Sequence, residues 1–148
     1  MTETVITIVR VFEAPRRRIW QEWTEPARFA DWFGAHECVI PLDTVAMDVR
    51  PGGLWRATMF CDEGRREIHW SGEYREVLEP ERLVLTFADE PEYGAYAVVT
   101  VLLTELAGER TEMRFEQRGP LPPEAYEGAR TGWSKFFDRV AERLATAV

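Results

Sequence analysis

One stretch constrains this chain more than any other. From residue 122 to 147, Ala125, Ala129, Trp133, Phe136, Phe137, Val140 and Leu144 recur at three or four, the spacing of one apolar helix face. No other segment reads as a helix of that length. Residues 36 to 118 read only as strands and turns, roughly 36–41, 44–50, 53–61, 66–78, 82–89, 95–106 and 110–118, after a first strand at 4–13. A sheet with one apolar face must cover it, and the C-terminal helix is the element long enough to do so. The expectation is an α+β fold: a curved antiparallel sheet wrapped around one long helix.

Two short helices follow the first strand. Ala14-Pro15 stops the strand, and "RRRIWQEW" then places Ile19, Trp20 and Trp23 at helical spacing. Thr24-Glu25-Pro26 opens "ARFADWFG", with Phe29, Trp32 and Phe33 along one side and Gly34 at its end. Turns are expected at Asp62-Glu63-Gly64, Glu79-Pro80-Glu81 and Ala107-Gly108-Glu109. Such short links favour an antiparallel meander.

Alternation assigns the inner face of each strand. Ile68, Trp70, Gly72 and Tyr74 form one such set, Leu83, Leu85 and Phe87 a second, Ala97, Val99, Val101 and Leu103 a third, and Thr111, Met113, Phe115 and Gln117 a fourth. Pro51-Gly52-Gly53 is a sharp corner that delivers Trp55, Ala57 and Met59 to the same face. Gly72, without a side chain in mid-strand, reads as a bend or a gap. Rings this large on a curved sheet are expected to leave a cavity. Its predicted lining is Trp32, Trp55, Met59, Trp70, Tyr74, Phe87, Met113, Phe115 and Gln117, facing Trp133 and Phe137.

Composition excludes several functions. The 148 residues hold 26 acidic and 18 basic side chains, a formal charge of −8, which is wrong for nucleic acid and for anionic membrane surfaces. The basic run Arg16-Arg17-Arg18 reads as a solvated helix face. The apolar runs are too short to span a membrane and the opening residues lack a signal-peptide pattern. Cys38 and Cys61 are read as reduced, which with the missing signal peptide gives a cytoplasmic expectation. Asp48 and Arg50 share a strand face and are expected to pair. His69 and Glu73 also share a face, but one opposite Trp70 and Tyr74, so they are assigned to solvent rather than to acid–base work. His36-Glu37-Cys38 is a weak metal pattern without a second cluster. No glycine-rich phosphate loop or nucleophile elbow is present, and no cofactor is expected.

"VFEAPRRRIWQEWTEPARFADWFG", "DVRPGGLWR", "GEYREVLEPERLVLTF", "GERTEMRF" and "TGWSKFFDRVAERL", in that order, resemble the SRPBCC superfamily, and within it the activator-of-heat-shock-protein-90-ATPase homologues. The resemblance covers nearly the whole chain and implies one START-like domain over 1–148. It implies a helix-grip fold: a curved seven-stranded antiparallel sheet, two short helices after strand 1, and a cavity beneath the long C-terminal helix. Its relatives bind lipids, hormones or polyketides, some cyclise polyketides, and a eukaryotic branch stimulates a chaperone. The resulting expectation is binding of a small apolar or aromatic molecule, by a monomer or homodimer. The alternatives are a cyclase- or hydrolase-like enzyme using the same cavity, and a protein-interaction module acting on a chaperone or other protein.

Overall fold

The structure is a computed structural model and describes residues 3–89, 96–120 and 123–146. Position 95 of an expected strand, and positions 122 and 147 of the expected helix, lie outside these residues. Strand β1 (Glu3–Phe12) leads into helices α1 (Arg16–Thr24) and α2 (Pro26–Trp32). Then come strands β2 (Cys38–Val39), β3 (Ala46–Met47), β4 (Leu54–Cys61), β5 (Arg66–Leu78), β6 (Arg82–Phe87), β7 (Ala97–Leu106) and β8 (Arg110–Pro120), and the long helix α3 (Tyr126–Thr146).

The sheet is antiparallel and its order is β1-β8-β7-β6-β5-β4-β2, with β3 also paired to β4. Eight strands thus fill seven positions, because the edge beyond β4 is shared by two fragments of two residues each. The expected strands at 36–41 and 44–50 are far shorter than the alternation predicts. Pro41 has no N–H for a ladder and precedes a 3-10 turn at Leu42–Thr44. The Thr44 hydroxyl donates to Pro41 O at 2.7 Å and accepts from Thr58 N at 3.1 Å, so a side chain stands where strand backbone was expected.

The Pro-Gly-Gly corner works through its backbone. Gly52 sits at φ +85°, and a Cβ on Gly53 would lie 1.9 Å from Asp48 O. Gly52 N donates to Tyr74 O at 2.7 Å and Tyr74 N to Gly53 O at 2.8 Å, so the corner is stitched to β5. Arg50 Nε donates to both Asp48 carboxylate oxygens, at 3.0 and 2.9 Å.

One end of the grip is filled. Trp20, Trp23, Phe29 and Trp32 enter from α1 and α2 and meet Phe115 on β8 and Phe137 and Val140 on α3. Trp23 and Trp32 pack edge to face at 4.9 Å, and Trp32 lies 6.2 Å from Phe137. Glu22, in a segment whose sequence looks like an ordinary polar helix face, is fully buried here. Its carboxylate accepts from Arg143 Nε at 2.6 Å and Arg18 Nη1 at 2.7 Å, with Arg28 at 3.9 Å, which joins α1, α2 and α3. That hydrogen bond is the leading cause of a further rise in the Arg143 pKa. Arg16 and Arg17 pair with Glu81 and Glu79, so the basic run docks α1 against the β5–β6 turn.

Candidate ligand-binding cavity

The other end of the grip is not filled. Among the described residues no helix enters between the sheet and the first half of α3, and a cavity of about 780 Å³ remains there, within the range of small-molecule sites. Its aromatic wall is Phe33, Trp70, Phe87, Trp133 and Phe136, with Tyr96 exposed at its rim. Phe33 is the hub, meeting Trp70, Phe87 and Phe136 edge to face at 5.4, 5.8 and 5.3 Å. Besides Trp133 and Phe136, α3 presents the small residues Gly128, Ala129, Thr131 and Gly132 to this space. A Cβ built on Gly128 or Gly132 would meet nothing within 4 Å. These glycines are therefore not demanded by close packing, and each costs helix stability of about 0.8–1 kcal/mol relative to alanine.

The eleven residues expected to line the cavity divide in two. Met59, Trp70, Phe87, Gln117 and Trp133 line it. Trp32, Trp55, Tyr74, Met113, Phe115 and Phe137 are buried in the packed core, away from the cavity surface. The helix glycines, Phe33 and Phe136 also line it, with Ile68 and Tyr96. Phe136 was legible as part of the helix repeat, but its neighbour Phe137 takes the core direction. Gly72 is not a gap in this cavity. It lies opposite Trp55 across the β4–β5 ladder, and a Cβ there would fall 2.4 Å from Trp55 Nε1 and 1.8 Å from Thr86 O. Trp55 Nε1 occupies that space and donates to Thr86 O at 2.9 Å, while Glu73 N bonds the Thr86 hydroxyl at 2.9 Å. The indole thus satisfies a carbonyl beside the register shift between Tyr74 and Glu76.

The cysteine expectation is overturned. Cys38 on β2 stands directly opposite Cys61 on β4, their Cα atoms are 4.4 Å apart, and the two form a disulfide. The sequence could not show this, because the pairing depends on a register set by the intervening fold. The bridge also removes the cysteine argument for a reducing compartment. Both cysteines line the cavity, so the bridge ties one wall to the sheet.

The remaining candidates for chemistry sit elsewhere. His69 pairs with Glu67 at 2.7 Å and is exposed, as its face assignment predicts. His36 pairs with Glu142 at 2.7 Å and Glu37 with Lys135 at 2.7 Å, while Cys38 is in the disulfide; the three tempting neighbours go three ways. His36 is the first cause of a lowered Glu142 pKa. Tyr74 is fully buried and its hydroxyl meets no protein partner. Burial is the main cause that pushes its pKa up, with the Asp48 charge adding to it. Gln117 is held on one side: Trp133 Nε1 donates to its Oε1 at 2.6 Å. No helix is long and apolar enough to cross a membrane among the described residues.

A curved antiparallel sheet gripping one helix, with a cavity beneath it, defines a helix-grip protein. The chain belongs to the family described as activator of Hsp90 ATPase homolog 1-like protein, whose model matches residues 13–145. Solved structures agree in fold. The AHSA1 protein of Silicibacter pomeroyi is 20% identical, covers 96% of this chain and 98% of its own, and superposes with a TM-score of 0.83. Protein CV1439 of Chromobacterium violaceum is 22% identical over 94% of this chain and 96% of its own, with a TM-score of 0.81. CalU16 of Micromonospora echinospora is 21% identical over 93% of this chain and 74% of its own, with a TM-score of 0.67. At these identities the likeness is one of fold. No curated protein matches the sequence.

Proposed function

We propose that this protein binds a small apolar or aromatic molecule in the cavity between the sheet and the first half of α3. The observation that carries this reading is a space of about 780 Å³ lined by six aromatic side chains. Two helix glycines leave that space open where packing does not require them. An apolar ligand gains free energy there by displacing poorly held water, and large preformed apolar pockets are where such ligands bind.

The test uses naphthalene and 2-acetylnaphthalene as probes, followed by thermal unfolding and tryptophan fluorescence. Binding stabilises the fold by about 2.7 kcal/mol at a hundredfold excess over the dissociation constant. Gly132→Leu places a side chain in the cavity, and in a folded variant it weakens both probes. Failure of both probes to bind the parent removes this reading.

A further inference from the structure

We infer that the cavity selects neutral aromatic molecules bearing a hydrogen-bond acceptor oxygen, such as an aryl ketone, and that the Gln117 side-chain amide reads that oxygen. The inference rests on the ligand-binding reading above and adds to it the chemistry of the ligand.

The orientation of Gln117 follows from its partner. The Trp133 indole has a donor and no acceptor, so the amide oxygen must turn toward it, as the 2.6 Å contact shows. The Nε2 amine is left facing the other way. Gln117 is half-buried and lines the cavity, and its amine has no partner among the described residues. The enclosed unpartnered polar atoms are Trp70 Nε1 and Tyr74 OH, and Gln117 Nε2 is not one of them. Trp70 Nε1 is sealed by its neighbours, and the other lining donors, Arg66, Tyr96, Thr131 and Lys135, are exposed, so Gln117 supplies the half-buried donor that a ligand in the cavity meets. A donor on an apolar wall favours an acceptor on the ligand, because an apolar isostere would strip the amide of water and return no bond.

The charge of the ligand follows from the lining. Its cationic members among the described residues are Arg66 and Lys135, both exposed, and Lys135 is paired with Glu37. Asp89 and Glu127 are also exposed lining residues. A carboxylate placed beside Gln117 would lose water without gaining a buried counter-charge, which is unfavourable. A ketone or other neutral carbonyl avoids that loss. The edge-to-face rings around Phe33 present flat surfaces, which suit an aromatic skeleton.

The experiment compares 2-acetylnaphthalene with 2-isopropenylnaphthalene, which replaces the carbonyl oxygen by a methylene in nearly the same shape, and with 2-naphthoate. Calorimetric titration of the intact wild-type protein is expected to rank the ketone about tenfold above the alkene, with the naphthoate below the ketone. Gln117→Glu keeps an acceptor for Trp133 and removes both donors. In that variant the ketone loses its advantage while the alkene keeps its affinity within about twofold. Gln117→Met, which carries no charge, gives the same loss and covers the case in which the glutamate variant does not fold. Equal wild-type affinities for ketone and alkene overturn the inference and leave the ligand-binding reading standing. An advantage that survives in a folded Gln117→Glu or Gln117→Met variant also overturns it. If neither neutral probe binds, the ligand-binding reading falls and takes this inference with it.

Discussion

The two ends of the grip are built from the same kind of side chain and reach opposite results. At the filled end, Trp23, Phe29, Trp32, Phe115 and Phe137 pack ring against ring, and even the charge of Glu22 is enclosed by three guanidiniums. At the open end, Phe33, Trp70, Phe87, Trp133 and Phe136 surround space. Aromatic content does not make the difference. The filled end receives two helices, whereas the open end receives the glycine-bearing surface of α3 and an edge closed by the two-residue strand β2. A cavity therefore persists where the chain withholds bulk from the helix and length from the edge.

Matched truncations break or sharpen that contrast. Trp32 is fully buried, and Trp32→Ala is expected to cost about 3–5 kcal/mol in urea unfolding. A loss as small as that of a surface change would mean that the filled end is loosely packed. Next comes the disulfide at the open end, which links residues separated by 23 positions. A loop of that length contributes roughly 3 kcal/mol on the chain-entropy account. Unfolding midpoints with and without a dithiol reductant measure it, and Cys38→Ser with Cys61→Ser should reproduce the reduced value. If reduction also changes probe affinity, the bridge holds the cavity wall as well as the fold.

Phe136→Ala is expected to cost less than Trp32→Ala, about 1–2 kcal/mol, because the ring is half-buried and already borders empty space. Equal losses for these two variants would erase the distinction between the ends. The smallest effect has the opposite sign. Tyr74→Phe removes a buried hydroxyl that lacks a partner, so stability at neutral pH should be unchanged or higher by up to about 1 kcal/mol. The Tyr74 pKa is raised in the folded state, so its contribution is intact below the ordinary tyrosine value of 10.0 and is lost as pH climbs above it. Unfolding midpoints measured above that pH should fall more steeply for the wild type than for Tyr74→Phe.

Much of the sheet was legible because alternation is a local property. Leu83, Leu85 and Phe87, like Thr111, Met113 and Phe115, are buried as their spacing requires. The long helix was equally plain. Where the cavity ends was not legible, because that depends on which rings α1 and α2 push under the sheet. Tyr74 and Phe115 share the inner face with Trp70 yet lie in solid core. Gly72 reads as empty from its own strand and is occupied by an indole from the next. Nothing in the local sequence marks Glu22 for burial, because its partner Arg143 lies 121 residues away. The edge strands shrank because Pro41 and a threonine hydroxyl replaced ladder bonds, a substitution that no alternation pattern reveals.

The run of indoles joining the two ends makes the molecule an antenna. Trp32, Trp23 and Trp133 follow one another with centroids 4.9 and 6.2 Å apart. At such separations an excited indole passes its energy to the next before it emits. Trp133 is the member of this series that forms the cavity wall. Ultraviolet light absorbed deep in the filled end thus reaches a ring beside the open space. A molecule lodged there with a lower excited state, as an aryl ketone has, drains that energy and dims the emission of tryptophans it never touches.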